Sequence, residues 1–335
     1  MSHKHQLKQQ SISRIAVMRS LPGLGDLLCA VPALRALRAA FPQAKITLIG
    51  LPWARSFIKR FSHYLDDFLE FPGYPGIPEV PFSQEKLHLF LKSVQEQHFD
   101  LILQMHGNGT VSNSFIALLD ARINAGFYLP NHYCPDPNYF LPYPDTEPEI
   151  WRHLRLMDFL GIPLQGDKLE FPLREEDFAA LRLKKNYVCI HPGASAKDKR
   201  WSLKNFATVA DAIAARGWEI VLTGTTTEVY LTQKLADMMR FEPINLAGQT
   251  NLGEMAALLS RASLLVCNDT GVSHLAAGLR VKSVVIFSNS SPHRWAPLDR
   301  EIHRSLSSSS STDVSCEMVI AQAGDLLQKE VSNVT

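Results

Sequence analysis

The chain has 335 residues, and 34 Lys+Arg against 33 Asp+Glu leave a formal net charge of +1. A balance this close to neutral argues against a dedicated nucleic-acid binder, which carries a basic surplus, and 46% hydrophobic with 20% charged residues excludes a disordered chain. The length suggests about two domains, because single cores rarely grow beyond roughly 250 to 300 residues.

The opening MSHKHQLKQQ lacks the apolar stretch of a signal peptide, and no run of about 18 apolar residues follows that would span a bilayer. Arg14–Arg19 reads as a strand, Leu27–Phe41 as a helix stopped by Pro42, and Lys45–Gly50 as a second strand. Phe68–Phe71 is a third strand and Phe99–Gln104 a fourth, with helical patterns at Glu85–Gln97 and Ser112–Leu119. Between Asn131 and Glu149 prolines crowd the chain, and irregular backbone is expected there. Glu149–Leu160 reads as an amphipathic helix. The second half repeats this grammar. Strands are expected at Asn186–His191, Trp218–Thr223, Pro243–Leu246, Ser263–Cys267 and, as the last, Lys282–Phe287. Helices fall between them at Leu203–Arg216, Glu228–Arg240, Asn251–Arg261 and Val272–Leu279. Ser305–Thr312 is low-complexity and reads as a linker, and Glu317–Leu327 is a terminal helix. Five cysteines without a CxxC pair argue against a disulfide framework or a zinc site and suit a cytoplasmic setting.

Alternating strands and helices in both halves predict an α/β protein of two doubly wound, Rossmann-like domains. Their expected bounds are residues 1–165 and 166–313, followed by a C-terminal helix and tail over 314–335. Such domains bind ligands beyond the carboxyl ends of their strands, in a cleft, so the loops after strands carry the candidates. After the first strand, Gly23 and Gly25 allow a close approach of backbone to ligand. A dinucleotide fingerprint needs a third glycine where this chain has Leu28, which makes an oxidoreductase the weakest reading. Asp26 in the same loop is either a helix N-cap or a general base taking a proton from a hydroxyl. His106, after the fourth strand, is a candidate for acceptor contact or a structural loop residue.

In the second half, HPGASAKDKRW (191–201) brings small residues at Gly193, Ala194 and Ser195 together with Lys197, Lys199 and Arg200, a mixture suited to phosphate. NDTGVSH (268–274) opens a helix at Asp269, Thr270 and Gly271, and helix N-termini attract anions. His274 lies on the same helical face as Thr270, and packing is the alternative to chemistry for it. Glu228, after another strand, either binds ribose hydroxyls or complements a helix dipole.

GLGDLLCAVPALRALRAAFP (23–42), HPGASAKDKRWSLKNF (191–206) and NDTGVSHLAAGL (268–279) together resemble the bacterial heptosyltransferase family, over roughly residues 14–300. That resemblance implies a GT-B fold, two Rossmann-like domains facing each other across a cleft, and transfer of heptose from ADP-heptose to the lipopolysaccharide inner core. It places the first domain on the acceptor and the second on the nucleotide sugar. By the same resemblance Asp26 is the catalytic base and Lys199 the lysine at the donor's phosphates and sugar. Ser195, Asp269, Thr270, Gly271 and His274 lie around the phosphates, Ala194 departing from the family's usual hydroxyl. Glu228 corresponds to a ribose-binding carboxylate, and the Thr250 backbone faces the base.

Glycosyl transfer passes through an oxocarbenium-like state. One carboxylate suffices when a nucleoside diphosphate leaves, since that group needs charge stabilisation rather than a proton. The sequence contains no DxD triplet, so the expectation is an inverting, metal-independent enzyme with no cofactor. The expected partners are an ADP-linked sugar and a glycan or glycolipid acceptor, with peripheral contact at the inner membrane surface. A nucleotide-sugar epimerase or hydrolase, or a non-catalytic nucleotide-sugar binding protein, are the alternatives on the same architecture.

Overall fold

Ile15 to Met18 carry four consecutive apolar side chains, at most 1% exposed, which is how a strand covered on both faces reads. Burial of each larger side chain contributes about 1.5–3 kcal/mol. In the computed structural model, which describes residues 7, 10–179, 181, 183, 186–308 and 313–328, the chain forms two compact units, Met1–Asp167 and Lys168–Thr335.

The first unit runs β1 (Arg14–Met18), α1 (Leu24–Ala40), β2 (Lys45–Gly50), α2 (Ala54–Arg60), β3 (Asp67–Glu70), α3 (Gln84–Gln95), β4 (Leu101–Gln104), α4 (Ser112–Ala117), β5 (Ile123–Tyr128), β6 (Phe140–Pro142) and α5 (Glu149–Phe159). Its six strands are all parallel, in the order β3-β2-β1-β4-β5-β6. The order reverses between β1 and β4, where Met18 pairs with Gln104. The loops after these two strands therefore emerge side by side. Helix α1 holds Pro32 in its interior, a substitution that costs about 3 kcal/mol in an isolated helix. Burial of Leu27, Leu28, Val31, Leu34 and Leu37 offsets it.

The second unit runs β7 (Tyr187–His191), α6 (Leu203–Ala214), β8 (Glu219–Leu222), α7 (Val229–Met238), β9 (Ile244–Asn245), α8 (Leu252–Ser260), β10 (Leu264–Asn268), α9 (Gly271–Gly278), β11 (Ser283–Phe287), α10 (Pro292–Trp295), β12 (His303–Ser307) and α11 (Cys316–Gln328). Its parallel sheet has the order β12-β11-β10-β7-β8-β9, the same winding as the first read from the other edge. Reversal falls between β7 and β10, with His191 beside Cys267. Val319, Ala323 and Leu326 of α11 join the core that Phe206, Val209 and Ile213 of α6 build against the sheet.

Four expectations need correction. The proline-rich segment 131–149 is not wholly irregular, because Phe140–Pro142 forms β6 on the open edge of β5, where proline's missing N–H does no harm. Lys282–Phe287 is not the last strand, since β12 pairs with β11 throughout. Consequently Ser305–Ser307 of the supposed linker are strand, while residues 309–312 lie outside the described residues. Helix α1 also starts earlier than its apolar spacing suggests, with Gly23 as N-cap. Asp26 is therefore in the first helical turn and is not the cap.

Candidate active site

In the first unit the site grows from the ends of β1 and β4. Gly23 has φ −88° and ψ 135°, a conformation open to any residue. Glycine is needed for another reason: a Cβ there would lie 2.4 Å from Asp26 Oδ2. The carboxylate of Asp26 folds into that space and keeps a side-chain exposure of 20%. Gly25 is buried inside the first turn of α1.

Asp26 is framed by a residue that sequence reasoning passed over. Arg19, one residue past β1, is 2% exposed. Its Nε donates to the Asp26 carbonyl (2.7 Å) and one terminal nitrogen donates to the Met105 carbonyl after β4 (2.6 Å). The other terminal nitrogen donates to Glu149 Oε1 at 3.1 Å and stands 3.8 Å from Asp26 Oδ1. A buried guanidinium is tolerable only when its donors are satisfied, and this one ties the β1 loop, the β4 loop and α5 together. The sequence shows only that a charged residue directly continues the apolar run of β1, and not which groups it holds.

His106 is buried, and its Nδ1 accepts the Ser20 N–H at 3.3 Å. That bond assigns the remaining proton to Nε2, which faces Glu79 Oε1 at 3.8 Å. Burial first, and the Arg19 charge second, depress the His106 pKa to about 4. The imidazole is neutral at physiological pH. Glu79, which carried no signal in the sequence, leaves its Oε2 buried without a hydrogen-bond partner.

In the second unit the loops after β7, β8, β9 and β10 carry the candidates. Asn268, fully buried at the end of β10, accepts the Trp201 N–H (2.9 Å) and donates to the Pro192 carbonyl (2.8 Å). It fixes both ends of the 192–201 loop, a role its sequence position did not disclose. Lys199 Nζ donates to Asp269 Oδ2 at 3.0 Å. Arg200 donates from Nε and one terminal nitrogen to the Ala194 carbonyl, at 2.8 and 2.6 Å, and so braces the loop. Lys197 and Ser195 are exposed, whereas Gly193 and Ala194 are buried.

Glu228 is buried in a 3-10 turn, where its Oε2 accepts from the Thr225 N–H (2.8 Å) and hydroxyl (2.9 Å). A Cβ at Gly193 would fall 2.1 Å from Glu228 Oε1, so the glycine makes room for the carboxylate. His191 Nε2 lies 3.9 Å from Glu228 Oε2, and burial holds the His191 pKa below its ordinary value although the glutamate opposes this. Gly248 (φ +72°) turns the loop after β9 and bonds its N–H to the Gly224 carbonyl at 2.9 Å. Thr250 follows, half-buried, just before the α8 N-cap Asn251.

Thr270 is the N-cap of α9 by backbone position (φ −156°, ψ 171°) and places no side chain on the helix N–H groups. Those of Gly271 and its neighbours form the positive end of the helix dipole. His274, one turn on, is 3% exposed and packs edge-on against Trp295, ring centroids 6.2 Å apart. Among the described residues, no group of three or more His, Cys, Asp or Glu is placed to hold a metal ion. None of their helices is long and apolar enough to cross a membrane.

Known proteins share the fold and resemble the sequence. A lipooligosaccharide heptosyltransferase 2 from Haemophilus ducreyi is 31% identical over 302 residues, covering 83% of this chain and 84% of that protein. Among solved structures, a family 9 glycosyl transferase from Veillonella parvula superposes with a TM-score of 0.80 at 21% identity, over 96% of this chain and 99% of that one. The E. coli ADP-heptose LPS heptosyltransferase II gives 0.76 at 19% identity, over 95% and 99%. The two doubly wound units are thus those of the GT-B heptosyltransferase structures. The model of glycosyltransferase family 9 (heptosyltransferase) matches residues 87–327, and the chain is a glycosyltransferase belonging to that family.

Proposed function

We propose that this glycosyltransferase moves a heptose from ADP-heptose to a lipopolysaccharide-core or related glycan acceptor, with inversion and without a metal. Asp26 takes the proton of the acceptor hydroxyl, whose oxygen attacks the anomeric carbon. The bond from that carbon to the diphosphate breaks, and its electron pair leaves with ADP. The carrying observation is the Lys199–Asp269 pair beside the α9 N-terminus. A fixed cation and a helix N-terminus without a side-chain cap, after adjacent strands, suit the negative charge that grows on a departing diphosphate.

In this reading the second unit binds the donor. Ser195, Thr270 and Gly271 face the phosphates, with Asp269 and His274 supporting them, Glu228 takes the ribose hydroxyls, and the Thr250 backbone meets the base. The first unit takes the acceptor, with Gly23, Gly25 and His106 beside Asp26. Family membership and the relatives' names support heptose as the sugar, and the E. coli neighbour supports ADP as the carrier. A cytoplasmic site of action, at the inner membrane surface where a lipid-linked acceptor is held, belongs to the same reading.

The test is ADP release from ADP-heptose with and without a heptose-deficient core glycolipid. Transfer predicts release that depends on the glycolipid and a product heavier by one heptose. Equal release in its absence would favour a hydrolase.

A further inference from the structure

Two carboxylates, Asp26 and Glu149, compete for one terminal nitrogen of Arg19. Glu149 holds it at 3.1 Å, and Asp26 Oδ1 is left at 3.8 Å, outside hydrogen-bond range. Glu149 is the first residue of α5, with a side chain 5% exposed, and it is itself braced. Its Oε2 lies 3.4 Å from Arg152, and its Oε1 3.5 Å from His153 Nε2. Arg152 in turn binds the Tyr143 hydroxyl and the carbonyls of Asp145 and Glu147, and stacks over the Tyr143 ring. The end of the proline-rich segment thus anchors the arginine that anchors Glu149.

A carboxylate that accepts a charge-assisted hydrogen bond from arginine is held as the anion and becomes a weaker base. Brønsted behaviour then makes it slower at taking a proton. We propose that Glu149 is a positioning residue that holds the Arg19 guanidinium off the Asp26 carboxylate and so keeps Asp26 basic enough for proton removal. The inference rests on the reading of Asp26 as the base. Arg19 keeps its grip on the Asp26 main chain, while its guanidinium stays beyond hydrogen-bond range of the Asp26 carboxylate at 3.8 Å. Among the described residues, the other charged or titratable groups facing this cluster include His106 after β4, Glu79 beside it, Arg152 and His153 from α5, and Asp145, 3.8 Å from Arg152. Burial and the Arg19 charge hold both histidines near pKa 4, leaving them neutral at pH 7.

The experiment is the pH profile of kcat with saturating donor and acceptor, on the full chain, for wild type and Glu149→Gln. Glutamine keeps the shape and removes the charge, freeing Arg19 for Asp26. The expected result is a kcat lower by about three- to tenfold at pH 7, a donor KM within about twofold, and an acidic limb displaced to lower pH by about half a unit or more. The displacement should persist in a His153→Gln background, which removes the other titrating group that Glu149 touches. The double variant Arg19→Met/Glu149→Met replaces the pair by apolar residues of similar volume, an exchange folds often tolerate. It should move the limb the other way, to higher pH, and it carries the test if Glu149→Gln does not fold. A fall in kcat with the limb unmoved in these variants would make Glu149 a structural brace only and overturn the proposal, as would an unchanged kcat. Asp26→Asn measured alongside separates the two ideas. If it stays active, the base assignment fails; if it is dead while the Glu149→Gln limb stays put, only the present inference fails.

Discussion

Lys199 Nζ lies 3.0 Å from Asp269 Oδ2, the aspartate side chain 4% exposed and the lysine 31%. A buried charged group needs a partner at hand, and this contact holds the ammonium at one place. Lys199→Ala should lower kcat/KM by about 10²-fold or more, the range for a lost transition-state charge stabiliser. Lys197→Ala, on an exposed side chain of the same loop, should change it far less. Because Lys199→Ala also strands a buried carboxylate, rates belong at a temperature where melting curves show the variant folded. Equal losses from the two substitutions would mean that the loop supplies diffuse charge.

Gly193 and Glu228 supply a steric prediction. A methyl group at 193 would sit 2.1 Å from Glu228 Oε1 and 2.3 Å from its Cδ, while Thr225 holds the other oxygen by two hydrogen bonds. Gly193→Ala must displace the carboxylate. With Glu228 on the ribose, donor KM should rise about tenfold or more while kcat changes less, the pattern of lost uniform binding. Steady-state kinetics against donor concentration decides this, and an unchanged KM would remove Glu228 from the donor.

His303 sets a pH dependence of stability. Its ring is 2% exposed with Nδ1 2.8 Å from Ser283 Oγ, and burial lowers its pKa to about 4. The unfolded chain, with an ordinary histidine near 6.5, binds the proton more readily between these values. The stabilising contribution is therefore complete above about pH 6.5 and is lost as pH falls toward 4, at about 1.4 kcal/mol per pH unit. Urea unfolding at pH 7, 6 and 5 should show a shallower loss for His303→Asn than for wild type. Parallel slopes would contradict the assignment.

The strands and helices that position the site were legible because their signals are local: buried runs such as IAVM and SVVIF, and apolar spacing along α1 and α6. Of the four edge strands, β3 and β9 were legible too, but β6 and β12 were not. β6 sits among prolines and β12 mixes charged and hydroxyl residues (HRSLS), because only one side of each is paired and neither needs an apolar run. Asp26, Lys199 and Glu228 were visible as polar residues on loops after strands. Arg19, Glu149 and Asn268 were not, since their work consists of contacts to residues far away in sequence, such as Arg19 to Met105 or Asn268 to Pro192. Spacing carries no trace of such partners.

Chelation tests the metal-free reading. The chain lacks a DxD triplet, and Lys199 with the α9 N–H groups is assigned the charge a metal would otherwise neutralise. Turnover measured after dialysis against EDTA should stay within about twofold of the untreated enzyme. Loss of turnover, restored by magnesium, manganese or iron, would overturn it.

Removal of the acceptor proton by Asp26 is put to the test by Asp26→Asn. The substitution keeps the size of a side chain that fits the space above Gly23 and removes its basicity. Loss of general-base catalysis typically costs about 10²–10⁴ in rate. The expected result is a kcat lower by at least that minimum, with ADP binding by calorimetry and the melting temperature close to wild type. Retention of more than about a third of the wild-type kcat would contradict it.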